Sequence, residues 1–146
     1  MYNKKLSEIM TTNLVTASPG DTMETVEKVF KNNDFHHLPI IDSDRKLVGI
    51  LSKSDYLMMC DSMTIFKNIN KEMQNRRFFH SVLIKDVMKK NIAKLKPDNT
   101  VMVAAGFFKE NLFHAVPIVD DENRLLGIVT TFDLLNLAFS ESFGMS

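Results

Sequence analysis

Cysteine is nearly absent: Cys60 is the only one in 146 residues, which excludes an internal disulfide and any metal site built on clustered thiolates. Its neighbours Leu57, Met58 and Met59 are apolar, so packing, and not nucleophilic chemistry, is its expected role. Net charge is missing as well, because 18 Lys and Arg are matched by 18 Asp and Glu. No bulk field draws in nucleic acid or anionic lipid, and an anionic ligand has to be held by local groups. Long hydrophobic runs are missing too. The longest, Val101–Phe108, contains a glycine and has 8 residues, against the ~20 that span a bilayer. No membrane span is expected. The start Met1-Tyr2-Asn3-Lys4-Lys5 carries charge with no apolar stretch behind it, which points to a cytoplasmic protein without a secretory signal. Ser-His-Asp spacing, a glycine-rich phosphate loop and a metal cluster are also lacking, so the expectation is a protein that is not an enzyme.

What the chain does have is a gapless internal repeat. Residues 9–57 lie on residues 87–135 at a constant offset of 78, with about 17 of 49 positions identical. Among the matches are Met10/Met88, Pro19/Pro97, Phe35-His36/Phe113-His114, Pro39-Ile40/Pro117-Ile118, Gly49-Ile50/Gly127-Ile128 and Asp55/Asp133. A unit found twice implies two similar lobes and not a solenoid. Each half, at roughly 60 residues, is too small to bury its surface comfortably alone, so the halves are expected to share a core.

Each repeat reads as helix, strand, helix, strand, strand, helix. Leu6–Met10 and Ile84–Met88 read as short helical turns, and 14–17 and 92–95 as extended runs into Pro19 and Pro97. Asp21 stands three residues before Glu24, with Asn99 at the matching position, and both read as N-caps. Met23, Val26, Val29 and Phe30 follow at helical spacing, as do Val101, Ala104, Ala105 and Phe108. The runs 38–41 and 116–119, each with an early proline, read as strands and pair with 47–51 and 125–129 across polar turns. A closing helix starts near Ser54 and near Phe132. Between the repeats, Ile65, Phe66, Ile69 and Met73 are spaced as one helix face, with Lys67, Lys71, Arg76 and Arg77 on the others as a solvated surface. After Ala138 no period remains and the chain is expected to fray.

The informative segments are Gly49-Ile50-Leu51-Ser52-Lys53-Ser54-Asp55 and Gly127-Ile128-Val129-Thr130-Thr131-Phe132-Asp133. A hydroxyl followed three residues later by an acid is a helix-capping box and requires no ligand. Together with the Met-Thr-Thr opening at 10–12 and the His-Leu-Pro and Ala-Val-Pro strand starts, however, the two segments resemble the cystathionine β-synthase (CBS) domain family. The resemblance covers both repeats and implies a tandem pair, or Bateman module. The implied fold class is α+β (α/β-type), with tandem βαββα repeats related by pseudo-two-fold symmetry and strands packed on helices. The implied boundaries are 6–60 for the first motif, 61–83 for a helical connector, 84–138 for the second motif and 139–146 for a tail.

The resemblance also implies a function: a regulatory sensor that binds an adenosine derivative in a cleft between the motifs. A carboxylate at a helix start can accept both hydroxyls of a ribose, and hydroxyl and backbone N–H groups there can hold phosphate. Carried over by resemblance, Asp55 and Asp133 hold ribose, with Ser52, Lys53, Thr130 and Thr131 beside them. Thr16, Ala17, Pro39 and Ile40 form the adenine surround in one site, and Lys94, Leu95, Pro117 and Ile118 in the other. His36, His37 and His114 are phosphate contacts or ordinary packing, and as metal ligands they lack an acidic or cysteine partner at ligand spacing. Repeat two follows the family pattern more closely, since Lys53 stands where repeat two has Thr131. AMP, ADP, ATP, S-adenosylmethionine and a cyclic dinucleotide all fit the ligand class, and no cofactor is required. The family implies a homodimer packed as a disc through the closing helices, with an effector protein that the sequence does not name, while zero net charge argues against nucleic acid. The competing reading is a dimerisation or docking module with vestigial pockets. Phe132, Leu134, Leu135, Leu137, Ala138 and Phe139 favour it, being more apolar surface than one helix face needs.

Overall fold

The computed structural model describes residues 3–63, 77–111 and 114–142. Its elements are a 3₁₀ turn (Leu6–Glu8), α1 (Met23–Asn32), β1 (His37–Ile41), β2 (Leu47–Ser52) and α2 (Lys53–Met63), then a second 3₁₀ turn (Ile84–Asp86), α3 (Val101–Asn111), β3 (Ala115–Val119), β4 (Leu125–Thr130) and α4 (Thr131–Ser142). The connector residues Ile65, Phe66, Ile69, Met73, Lys67, Lys71 and Arg76 lie outside the described residues, whereas 77–81 are helical. The chain forms two compact units, one from 1–14 with 93–146 and the other from 15–92.

The units therefore do not coincide with the repeats, because each repeat lends its opening to the unit of the other. In the first unit the Leu6 and Ser7 N–H groups donate to the Asn99 and Pro97 carbonyls (2.8 and 3.1 Å), and Val101 N–H donates to Lys4 O (2.8 Å). The second unit repeats this with Ile84 and Lys85 donating to Asp21 and Pro19 (2.8 and 3.0 Å), and Met23 to Val82 (2.9 Å). Leu6 and Ile84 are fully buried. Among the described residues the buried side chains fall into two clusters, and each draws on both repeats. One gathers Leu6 with Val101, Ala104, Phe108, Val116, Ile118 and Val129, and the other gathers Ile84 with Met23, Val26, Phe30, Leu38, Ile40 and Leu51. A borrowed aliphatic side chain gives each small core the apolar surface that one repeat alone lacks.

Three local expectations change as well. Asp21 and Asn99 do not cap helices; their side chains accept from the Ser18 and Lys96 N–H groups (2.9 and 2.7 Å) and pin the proline turns. Helix α1 starts one residue later, with Thr22 at the cap position, and the Thr100 hydroxyl accepts from Val103 N–H (3.4 Å) at the start of α3. The extended runs before the prolines form single parallel bridges, Ala17 to Ile40 and Leu95 to Ile118, and not strands. Ala17 N–H donates to Pro39 O, and Leu95 N–H to Pro117 O. A further rung would need an N–H from Pro39 or Pro117, which proline lacks. Finally, 139–142 are not a frayed tail, because α4 continues to Ser142. Phe139 extends the row of Phe132 and Leu135 by helical spacing.

Strands β1 and β2 form one antiparallel hairpin and β3 and β4 another, in identical register with a bulge before Ile41 and before Val119. Both turns are held by an aspartate, and Asp120 Oδ1 accepts from the Glu122 and Arg124 N–H groups (2.9 and 2.8 Å). The Arg124 N–H holds the Asp120 carboxyl below its usual range, against desolvation and with help from the Glu122 N–H and the charges of Arg124 and Lys96. Across Glu27, a hydrogen bond from Lys31 does the same against burial, with His80 adding to it.

A carboxyl with a depressed folded pKa stabilises the fold above its unfolded pKa, and that contribution is lost as pH falls through the folded value. Chemical denaturation across the acid range should therefore show a shallower loss of stability below about pH 4 for Asp120→Asn than for the native chain. Asparagine keeps the turn's acceptor oxygen, so an identical acid limb would refute the assignment. A second expectation concerns Gly127, where a Cβ would sit 2.7 Å from Met10 Sδ and 2.9 Å from the Thr11 carbonyl. Gly127→Ala should cost about 1–3 kcal/mol in urea unfolding. Adding Met10→Ala should not restore it fully, because the Thr11 obstacle is backbone.

Candidate functional site

The signature residues sit where a strand ends and a helix begins. In the first unit Thr130 closes β4, and Thr131 and Asp133 lie in the first turn of α4. Asp133 N–H donates to the Thr130 hydroxyl (3.1 Å), and Thr130 N–H donates to Asp133 Oδ2 (2.9 Å). The box is reciprocal, so capping is real here. It uses one N–H on a carboxylate that offers about four acceptor sites, which leaves capacity for further donors. Thr131 N–H donates to the His114 carbonyl (3.0 Å), which ties the start of β3 to the helix start.

In the second unit Ser52, Lys53 and Asp55 occupy the same places at the end of β2 and the start of α2. Asp55 N–H donates to the Ser52 hydroxyl (3.0 Å), and Lys53 N–H donates to the His36 carbonyl (2.8 Å). His37 pairs in register with Ser52. The Asp55 carboxylate differs from that of Asp133, because Lys89 Nζ lies 3.4 Å from its Oδ2. That pair brings together residues that no local spacing connects.

The sequence-expected adenine surround is placed more deeply. Pro39, Ile40, Pro117 and Ile118 are fully buried, and Ala17 is buried, whereas Thr16 and Leu95 are half-buried and Lys94 is exposed. The Ile40 and Ile118 side chains belong to the cores. The Lys94 ammonium donates to Asn123 in the hairpin turn (2.7 Å). His36 and His114 are exposed, and the hydrogen bonds described for them run through their backbone carbonyls. Among the described residues, no three His, Cys, Asp or Glu side chains gather as a metal site. No helix among them is long and apolar enough to cross a membrane.

Sequence reasoning used Thr11 only as part of the Met-Thr-Thr opening and missed Lys89. Thr11 exchanges hydrogen bonds with Ile128 (2.9 and 3.0 Å), and Lys89 exchanges them with Ile50 (both 3.0 Å). The two are equivalents across the repeat, and each lies beside the strand that leads into a signature. Their offset of 78 was readable; their exchange between repeats was not.

The model of the CBS domain family matches residues 6–62 and again 84–140. Protein MJ1225 of Methanocaldococcus jannaschii is 27% identical over 133 residues, which are 91% of this chain and 46% of that protein. Its crystal structure superposes with a TM-score of 0.79 at 25% identity, covering 94% of this chain and 48% of the other. Inosine-5'-monophosphate dehydrogenase of the same archaeon is 32% identical over 132 residues, 90% of this chain but 23% of the enzyme. The chain thus spans less than half the length of these curated relatives. The CBS domain pair of protein MJ0100, solved in complex with 5'-methylthioadenosine and S-adenosyl-L-methionine, superposes with a TM-score of 0.76 at 25% identity, covering 94% and 98%. With both repeats matched and the same paired fold in these structures, the chain belongs to the CBS domain family as a tandem pair of CBS motifs.

Proposed function

We propose that this CBS pair is a non-catalytic sensor that binds adenosine-containing ligands of the AMP, ADP or ATP type at the signature positions of its two units. The observation that carries this reading is the placement of an incompletely used carboxylate beside a hydroxyl at a helix start, once in each unit. A ribose diol supplies the two donors such a carboxylate can accept. The similar MJ0100 pair supports the ligand class, since both molecules bound there are adenosine derivatives. S-adenosylmethionine offers the same ribose diol, whereas a 3',5'-linked cyclic dinucleotide offers only a 2'-hydroxyl. The buried Pro39, Ile40, Pro117 and Ile118 then act as a fixed floor, with ligand contacts coming from backbone and from the exposed positions around it.

Calorimetry with AMP, ATP, cyclic di-AMP and S-adenosylmethionine tests this on the native chain, Asp55→Ala and Asp133→Ala. Each substitution should weaken one site by about tenfold to a hundredfold, the worth of a charge-assisted hydrogen bond. Asp133→Ala also removes the hydrogen bond from Thr130 N–H, worth about 1 kcal/mol, so unfolding without ligand is measured alongside. Binding that survives both substitutions unchanged removes the ribose assignment.

A second reading, a dimerisation module with vestigial sites, is favoured by the face of α4. Leu134 and Leu137 pack on the core, while Phe132, Leu135 and Phe139 are exposed. Their spacing puts them on one face, and the occupant we assign is a second copy of the chain. Sedimentation should show a native dimer that Phe132→Asp with Leu135→Asp converts to monomer. A native chain that stays monomeric at every concentration sinks this reading. A ligand at about 100 times its dissociation constant should stabilise the fold by roughly 2.7 kcal/mol. A thermal-shift panel that responds to no adenine compound would leave only the dimer reading.

A further inference from the structure

The two signature sites differ in charge at matched positions. In the repeat of Asp133 the two positions are threonines: Thr131 follows the signature hydroxyl, and Thr11 is clamped to Ile128 on the strand leading to it. Beside Asp55 both places are lysines: Lys53 follows Ser52, and Lys89 is clamped to Ile50. The Lys89 ammonium already lies 3.4 Å from Asp55 Oδ2, while the Lys89 side chain is 68% exposed and that of Asp55 is 22% exposed.

We infer that the site at Asp55 selects adenosine derivatives that carry an anionic group beside the ribose, and that the site at Asp133 takes them without that requirement. The inference rests on the adenosine-binding reading given above and assigns Lys89 as its specificity-determining residue. A pair this exposed and this long contributes little to stability, so a ligand can displace it at small cost. When a ribose diol takes the Asp55 carboxylate, Lys89 loses its partner. An uncharged nucleoside leaves that ammonium without a counter-charge, whereas a phosphorylated one supplies it within reach of the same flexible stem. Lys53, half-buried at the first position of α2, adds a second positive charge where helix N–H groups already favour an anion. In the other repeat the two matched positions, Thr11 and Thr131, carry no charge.

Calorimetry of the full chain with adenosine and with AMP tests this on the native protein, Lys89→Thr and Lys89→Arg. Lys89→Thr copies the residue of the other repeat at an exposed position, and its unfolding curve verifies the fold. The native chain should show one site that prefers AMP over adenosine more strongly than the other. Lys89→Thr should lower that preference by about tenfold or more at this site alone, and Lys89→Arg should retain it. Asp55→Ala should weaken the AMP-preferring site by the same roughly tenfold to hundredfold given above. An unchanged ratio in Lys89→Thr, with both compounds still binding, overturns the inference and leaves adenosine binding standing. Failure of the native chain to bind either compound overturns both.

Discussion

The whole arrangement depends on the crossed docking of two short openings. Each hairpin is only two-stranded, and an isolated hairpin is marginal in water. One edge is met by the bridge from Ala17 or Leu95, and the other by Lys89 or Thr11 from the opening of the opposite repeat. The same opening buries Ile84 or Leu6 completely, worth about 1.5–3 kcal/mol for each side chain. Because edge strands with unpaired groups invite association with other chains, these two contacts protect the fold and also complete its cores. Neither repeat has a finished core or finished edges when cut from the other.

The same crossing explains the glycines that begin each signature. Met10 lies against Gly127 and Met88 against Gly49, so closely that a Cβ at either place would collide. The glycine in Gly-x-x-[Ser/Thr]-x-x-Asp therefore makes room for the opening, while the hydroxyl and acid serve the helix start. One motif combines a packing requirement with a capping requirement, and the residue between them, Lys53 or Thr131, is bound by neither. That freedom is where the two repeats have diverged.

Most of the elements were legible in the sequence because their causes are local. Apolar spacing marked α1 and α3, and prolines and polar turns marked the hairpins. The hydroxyl-acid pair marked the starts of α2 and α4. What was illegible depended on competition or distance. Asp21 and Asn99 looked like helix caps but serve the Ser18 and Lys96 N–H groups of the proline turns. The runs before Pro19 and Pro97 are extended as expected, yet Pro39 and Pro117 have no N–H to continue a ladder with them. The sharing expected from chain length takes the form of two clusters among the described residues, each holding an opening residue of the other repeat, and no periodicity reports which repeat an opening joins. The site was legible as residue types, and its charge asymmetry only in part. Lys53 showed in the alignment, but the approach of Lys89 to Asp55 follows from the crossing.

The position of the signature on α4 has a further physical consequence. Asp133 completes, with Thr130, the capping box of the helix whose neighbouring residue Phe132 begins the exposed row with Leu135 and Phe139. A donor that takes up the remaining capacity of Asp133 acts on the first turn, where backbone N–H groups depend on the cap for partners. Any tightening or loosening of that turn is felt by Phe132, because the two residues are adjacent in one helical turn. On the proposed reading, a ligand at Asp133 and a second copy on the Phe132 face would act on a common element, and a coupling of about 1–3 kcal/mol is the ordinary size of such effects. On α2 the corresponding row is thinner, with Leu57 and Met58 exposed and Ser54 where α4 has Phe132. The repeat with the uncharged site thus also carries the more apolar face, and the repeat with the lysines carries the more polar one. On the proposed reading, ligand selection and partner contact are divided between two copies of one motif by a few substitutions at positions the fold leaves free.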